Sequence, residues 1–394
     1  MKILFLSQRV PYPPNRGDKI TTWRLVERMK RTHQVRVVAF AHDEGDWKAV
    51  RDLEAMGVPT TAVRYDDRKQ KLLSLPLLLT RTPLTLGVYG SRELQAIVDR
   101  EIATCDMAYA YSSSMGAFLE RHASTPRVMH FGELDSDKWR QYSERTGFPM
   151  NLVYRREART LLEFERRVAA AFTDNVLCTP LEQAIFAQRV PGPRSTVLRN
   201  GVDLAYFAPV PTPPEPDHLV FTGVMNYFPN ADGCIWFVNE ILPLVRREFP
   251  GARFTIVGSR PTPEVQKLAR TPGVTVTGFV DDTRTWMGKA AVSVAPLRIA
   301  RGIQNKVLEA MAMGLPVVGT TCATQGVDGA PDRDYVVRDD ARSFADGVCA
   351  LLRDPTQARA LGARARRFVE EHYDWEVVFR PLDEILARCA AARH

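Results

Sequence analysis

Lys306 and Glu309 stand three residues apart, and Arg298, Arg301 and Gly302 precede them. These residue types at this spacing describe a site for a phosphorylated nucleoside. One lysine and two arginines beside a helix start offer charge and hydrogen-bond donors to a diphosphate. The helix start adds unpaired backbone N–H groups and a partial positive charge. Gly302 leaves the backbone open where a ligand approaches it. Glu309 shares a side of the helix with Lys306. A carboxylate there repels phosphate but accepts hydrogen bonds from both hydroxyls of a ribose. A solvated Lys–Glu pair on a helix face is the plain alternative.

The elements that must hold these groups are legible around them. Residues 292–297 form an apolar run of strand length, and residues 298–302 a loop. Residues 303–313 carry apolar side chains at Ile303, Val307, Ala310 and Met311, the spacing of one helix face. Gly314 is a helix stop, and residues 316–319 begin another strand. This strand–loop–helix–strand unit recurs along the chain. Before it, strands are expected at 2–6, 35–40, 58–65, 107–111, 127–130, 175–178 and 196–198, with helices between. A long helix rich in arginine and glutamate is expected over 151–171. Residues 209–217, PVPTPPEPD, hold five prolines in nine positions and read as an interdomain linker. The alternation then restarts, with strands at 219–222, 254–258 and 274–280 and a helix over 229–249. The pattern is α/β: two doubly wound, Rossmann-like domains facing a cleft. The expected boundaries are 1–208 for the first domain and 218–374 for the second, with a terminal helix over 375–394 returning to the first.

The run G-I-Q-N-K-V-L-E-A-M-A-M-G-L-P-V-V, residues 302–318, resembles the donor-site helix of family 4 glycosyltransferases, the retaining enzymes of the GT-B fold. In that family the lysine and a nearby arginine hold the donor diphosphate, and the helix glutamate holds the ribose. The resemblance implies these roles for Lys306, Arg298 and Glu309, with Arg301, Gly302, Ile303 and Gln304 completing the donor loop. Eight residues before Glu309 the family often has a second glutamate that grips the sugar; here that position is Arg301. The turn Arg199-Asn200-Gly201-Val202-Asp203, followed by Phe207 and Pro209, is similar to the family's close of the first domain. The resemblance further implies donor contacts at Gly17, in the first strand-to-helix loop, and at Gly223. Phe279 and Val280 would meet the base through backbone atoms. It places His130 near the donor sugar as a catalytic or positioning group. Many members carry an arginine–lysine pair after Gly223, where this chain has Met225 and Asn226. The implied activity is transfer of a sugar from a nucleoside diphosphate sugar to a glycan or lipid-linked acceptor, with no metal. The loop PYPPNRGDK and the segment DSDKW resemble the branch that accompanies exosortase and PEP-CTERM exopolysaccharide systems.

Composition bounds the remaining readings. The chain has 394 residues, 45% hydrophobic and 25% charged, and a net charge of +7, which suits a soluble two-domain protein. Its arginines are spread along helices rather than clustered with aromatics, so nucleic acid is not the expected partner. The six cysteines form no C-x-x-C pair. That argues against a zinc site and against a disulfide framework, and suits a reducing cytoplasm. Residues 1–10 read as a buried strand rather than a leader. Asp135 and Asp137 spell D-x-D, a metal motif of the other glycosyltransferase fold, but such acidic triplets are common by chance. Residues 69–89, KQKLLSLPLLLTRTPLTLGVY, join a basic cluster to leucines and are too short to span a bilayer. They fit either an internal helical hairpin or a segment dipping into an anionic membrane face. A GT-B-fold nucleotide-sugar epimerase and a non-catalytic nucleotide-sugar binding subunit are the other functional readings.

Overall fold

The computed structural model describes residues 1–211 and 213–392. Thr212 of the proline-rich stretch and the last two positions of the terminal segment lie outside the described residues.

Seven strands form the first sheet: β1 (Lys2–Ser7), β2 (Gln34–Ala41), β3 (Thr60–Arg64), β4 (Met107–Tyr111), β5 (Arg127–Gly132), β6 (Asp174–Leu177) and β7 (Ser195–Val197). Their order is β3-β2-β1-β4-β5-β6-β7, and every pairing is parallel. Six strands form the second: β8 (His218–Thr222), β9 (Arg253–Val257), β10 (Val274–Val276), β11 (Val292–Ala295), β12 (Val317–Gly319) and β13 (Val336–Val337). Their order is β10-β9-β8-β11-β12-β13, again wholly parallel. Parallel sheets need helices on both faces, so their strands read as continuous apolar runs rather than alternating ones. Ile3 to Leu6 and Leu219 to Phe221 are such runs, with every side chain 0% exposed.

The helices that bear on the site and on the surface are α1 (Gly17–Met29), α2 (Asp67–Ser74), α3 (Asp135–Arg145), α4 (Met150–Ala171), α5 (Phe228–Trp236), α6 (Asn305–Ala312) and α7 (Arg380–Ala391). The expected α/β architecture with two parallel sheets is what the chain adopts.

The chain divides into two compact units, residues 1–199 with 379–394, and residues 200–378. Residues 200–208, expected in the first domain, group with the second unit. There the Val202 N–H donates to the Tyr373 carbonyl at 2.9 Å, and a Cβ on Gly201 would stand 2.8 Å from the Trp375 ring. The glycine of the Asn-Gly turn is thus needed for close packing. α7 belongs to the first unit. Its Arg388 donates to the buried Asp174 of β6 through Nε at 2.9 Å and Nη2 at 2.6 Å.

Two elements are shorter than the sequence suggested. α6 starts at Asn305, two residues late, because Gly302 turns the backbone to φ +60° and Gln304 stays extended as N-cap. The helix expected over 229–249 is present from Phe228 to Glu248 without a break, as α5, a wide helical turn at Phe237–Ile241 and a last segment Leu242–Glu248. Pro243 lacks the N–H that a regular α-helix would bond there, and the wide turn before it accommodates the missing donor. The strand expected over 274–280 ends at Val276, and Gly278 at φ +70° turns the chain away.

Candidate functional site

In the second unit β8 lies between β9 and β11, so the connections from β8 and β11 leave on opposite faces of the sheet. The crevice at such a switch point, beyond the strand C-terminal ends, is where open parallel sheets bind ligands. Gly223 directly follows β8. The loop carrying Arg298, Arg301 and Gly302 follows β11 and leads into α6. Topology therefore brings together residues that lie far apart in sequence.

Lys306 is the centre of this cluster. Its Nζ donates to Asn230 Oδ1 at 3.1 Å, and Gln304 Oε1 lies 3.5 Å away. The Phe221 ring centroid lies 5.4 Å from the same ammonium. Asn230 is fixed in turn by its Nδ2, which donates to the Val224 carbonyl at 3.0 Å. Burial pulls the Lys306 ammonium down from its ordinary value to about 8, with the charge of Glu309 opposing. Burial also pushes the Glu309 carboxyl up to about 7, with Lys306 opposing. Among the described residues no hydrogen bond engages the Glu309 carboxylate. The acid is half-buried with open oxygens and lies one helical turn from a half-buried lysine whose charge it feels.

Gly223 belongs to the same cluster. A Cβ there would stand 2.7 Å from Asn230 Nδ2 and 3.4 Å from Lys306 Cε. Gly302 has a backbone reason for its identity in its positive φ, and its carbonyl packs where a Cβ on Gly326 would stand 2.2 Å away. Ile303 is buried. Gln304 donates through Nε2 to the Arg301 carbonyl at 2.8 Å, which closes the loop on itself. Arg301 is half-buried.

Arg298 is paired with Asp232 of α5, with Nε to Oδ2 at 3.0 Å and Nη2 to Oδ1 at 2.5 Å. Its guanidinium also lies over the Trp236 ring, 5.7 Å from the centroid. Asn230 and Asp232, which orient the two cations, escaped the sequence reading. The signal that marks them is the turn Tyr227-Phe228-Pro229-Asn230 at the start of α5, two residues before Asp232. Phe279, beyond β10 on the same edge of the sheet, is 74% exposed. Val280 is half-buried and packs against Val220, Val257 and Ala290.

In the first unit Gly17 is the exposed first residue of α1. Arg16 Nε donates to Asp18 Oδ1 at 2.6 Å, and Arg9 Nε lies 3.5 Å from Asp18 Oδ2. His130 lies inside β5 and is 2% exposed. Its Nδ1 is 2.7 Å from Tyr109 Oη, and the Tyr111 ring is 4.6 Å away. Burial depresses the imidazole to about 3, so it is neutral. This placement gives His130 a packing role, and contact with a sugar would require its ring to turn out of the sheet. Asp135 accepts from Ser113 Oγ at 2.7 Å and pairs with Lys138. Asp137 accepts from Arg140 Nε at 2.8 Å and Gln141 Nε2 at 3.0 Å. Both acids of the D-x-D triplet are engaged by side chains. No group of three or more metal-ligating His, Cys, Asp or Glu occurs among the described residues.

Residues 216–354 match the family described as Glycosyl transferases group 1. The segment contains Gly223, Asn230, Asp232, Arg298, Lys306 and Glu309. Over 96% of its length the chain is 21% identical to 98% of an uncharacterized 44.6 kDa protein in the cps region of Klebsiella pneumoniae. Over 39% of its length it is 34% identical to 43% of a GDP-mannose-dependent alpha-(1-6)-phosphatidylinositol monomannoside mannosyltransferase of Mycobacterium tuberculosis. Among solved structures, sucrose-phosphate synthase from Thermosynechococcus elongatus superposes with a TM-score of 0.74 at 17% identity, over 99% of both chains. The chain thus has the GT-B fold, and residues 216–354 of its second unit match the glycosyl transferases group 1 family.

Proposed function

We propose that this protein is a retaining glycosyltransferase. It moves a sugar from a nucleoside diphosphate sugar to a glycan or lipid-linked acceptor in the assembly of a surface polysaccharide. The observation that carries the donor reading is the half-buried Lys306 beside the unbonded carboxylate of Glu309, inside the segment that matches the glycosyl transferase family. The GDP-mannose dependence of the mycobacterial relative supports a nucleotide-sugar donor, and its phosphatidylinositol monomannoside supports a lipid-linked acceptor. The Klebsiella relative's place in a cps region supports polysaccharide assembly. An epimerase is not favoured, because the family match and the mycobacterial relative are glycosyltransferases. None of the six cysteines is joined in a disulfide, which suits a reducing cytoplasm.

In the reaction the bond between the anomeric carbon and the diphosphate oxygen breaks, and negative charge grows on the diphosphate. In this reading Lys306, Arg298 and the N–H groups at the start of α6 receive it. A preorganised donor of this kind is worth ~10²–10³ in rate. The acceptor oxygen attacks from the face the diphosphate leaves, and its proton passes to the departing diphosphate. No side chain is assigned as general base. Glu309 binds the ribose hydroxyls, and Phe279 and the Val280 backbone flank the base. Arg301 stands where a sugar-gripping acid would be, so sugar recognition relies on other groups. The cations supply the counter-charge that a metal would otherwise provide.

Calorimetry with UDP, GDP, ADP and TDP tests this reading. Lys306→Ala and Glu309→Ala should each weaken binding of the preferred nucleotide by ~10-fold or more, since each removes a hydrogen-bonded or charged contact. Unchanged affinity in both variants would refute the donor site. Turnover should persist in EDTA; loss in EDTA that manganese restores would return Asp135 and Asp137 to consideration as ligands.

A further inference from the structure

We propose that the first unit docks on an anionic lipid surface through two stretches, residues 68–82 and 145–156, clasped together by Arg156. The proposal concerns a surface of the first unit alone and rests on none of the donor-site residues.

Exposure of apolar side chains is unevenly distributed. Among the described residues fourteen large hydrophobic side chains are exposed, and seven of them lie in these two short stretches. Leu72, Leu73, Leu75 and Leu79 are 67%, 63%, 53% and 93% exposed, which settles the choice between an internal hairpin and an outward-facing segment. The second stretch supplies Phe148, Met150 and Leu152, with Phe148 82% exposed. A concentration of this kind marks an interaction surface.

The two stretches are one surface because α4 is bonded to the leucine segment. Arg156 Nη2 donates to the carbonyls of Leu77, Thr80 and Thr82 at 2.5, 2.6 and 3.0 Å. Glu157, next in the helix, accepts from the Leu84 and Thr85 N–H groups at 2.7 and 2.8 Å. Leu152 lies one helical turn before Arg156, and Leu79 lies between two of the carbonyls that Arg156 holds. Arg156 thus ties the backbone around Leu79 to the helix that carries Leu152.

Charge selects the occupant. Residues 68–82 contain four cations and no acid, and residues 145–156 contain three cations and no acid. The nearest preceding acids are engaged: Asp66 accepts from the Arg68 and Lys69 N–H groups, Asp67 binds Lys71 Nζ at 2.6 Å, and Glu144 binds Arg140. A second copy of the chain would set these cations against themselves, which opposes a symmetric dimer. Leucines and a phenylalanine ringed by lysine and arginine match a bilayer whose acyl chains lie beneath anionic head groups. No helix among the described residues is long and apolar enough to cross a membrane, so the contact is interfacial.

Flotation of the full chain with vesicles provides the test. One set is phosphatidylcholine alone and the other contains phosphatidylglycerol. The protein should float with the phosphatidylglycerol vesicles at least ~10-fold more strongly than with phosphatidylcholine, and salt should release it. Leu79→Asp combined with Phe148→Asp, and separately Lys69→Glu combined with Arg155→Glu, should each cut this binding by ~10-fold or more. All four side chains are exposed, so melting temperature should be unchanged. Absence of flotation, or flotation that neither variant weakens, overturns the proposal. So does a dimer in sedimentation that the Leu79→Asp, Phe148→Asp variant breaks in the absence of lipid binding. Thermal stabilisation by nucleotide, read on the same variants, should match the unaltered chain. A failure of lipid docking and a failure of the donor reading therefore give different results.

Discussion

Asp232 holds Arg298 through both edges of a carboxylate, with Arg298 Nε donating to Oδ2 at 3.0 Å and Nη2 to Oδ1 at 2.5 Å. The pair fixes the plane of the guanidinium and leaves Nη1 outside it. A fork held in one orientation loses less side-chain freedom when it meets a phosphate. Asp232 therefore positions Arg298, and the Trp236 ring supports the same guanidinium from α5. Asp232→Asn should lower nucleoside diphosphate affinity severalfold, on the order of 1 kcal/mol, while Arg298→Ala lowers it at least as much. The double variant should lose no more than Arg298→Ala alone. Calorimetry on the three proteins decides the point. Tighter binding by Asp232→Asn would mean that the carboxylate competes with the ligand instead.

The proposed donor site makes nucleotide binding depend on pH through two neighbours in α6. Lys306 must be protonated to hold a diphosphate, and its ammonium titrates near 8, below its ordinary value. Binding therefore weakens as pH rises above 8. Glu309 must be ionised to accept from ribose hydroxyls, and its carboxyl titrates near 7, above its ordinary value. Binding therefore weakens as pH falls below 7. Affinity should peak between these values and decline by up to ~10-fold per pH unit on either side. Lys306→Arg keeps its charge and should flatten the alkaline limb. Glu309→Gln should flatten the acid limb, which separates its titration from that of the phosphate. A wild-type profile level across this window would contradict the assignment.

How far the molecule is legible in its sequence depends on whether a feature is local. Lys306 and Glu309 share one helix turn, so their spacing alone puts them together. The fully apolar strands, separated by helical stretches, likewise announce parallel sheets. The partners of the cations are not local. Asn230 lies 76 residues before Lys306, and Asp232 lies 66 before Arg298. They meet only because β8 and β11 are neighbours in the sheet. The same holds for Leu79 and Phe148, whose common surface depends on a hydrogen bond from Arg156 to backbone 76 residues away. His130 shows the opposite case. Its strand was anticipated, but the register that turns its ring towards Tyr109 cannot be read from residue types.

Gly258 is a structural requirement where the ends of β8 and β9 meet. Its φ is +150°, and a Cβ there would stand 1.7 Å from the Gly223 carbonyl oxygen. The obstacle is backbone, held by the Gly223 N–H donating to Val257 O at 3.0 Å. Gly258→Ala should cost about 3 kcal/mol or more and separate the ends of β8 and β9. Gly147→Ala, where a Cβ meets nothing within 4 Å, should change stability by no more than ~0.5 kcal/mol. Denaturant unfolding compares them. Equal midpoints for the two variants would show that the strand ends separate at little cost.

The first unit contains its own titrating group in Glu165, which is 0% exposed on α4. Its Oε1 accepts from the Ser136 N–H at the start of α3, at 3.1 Å. Burial outweighs that bond and raises the carboxyl from 4.5 to about 8. Between those values the folded chain keeps a proton that the unfolded chain has released. The stabilisation is therefore complete below pH 4.5 and is lost as pH rises through 8. The slope approaches 1.4 kcal/mol per pH unit as an order-of-magnitude figure, before other groups add theirs. Glu165→Gln keeps an oxygen for the Ser136 N–H and cannot titrate. Its unfolding free energy should fall less steeply across that window, with the largest gain over wild type at the alkaline end. Denaturation curves at several pH values measure both slopes. Parallel slopes would mean that Glu165 is already ionised in the fold and that its charge is met by groups other than Ser136.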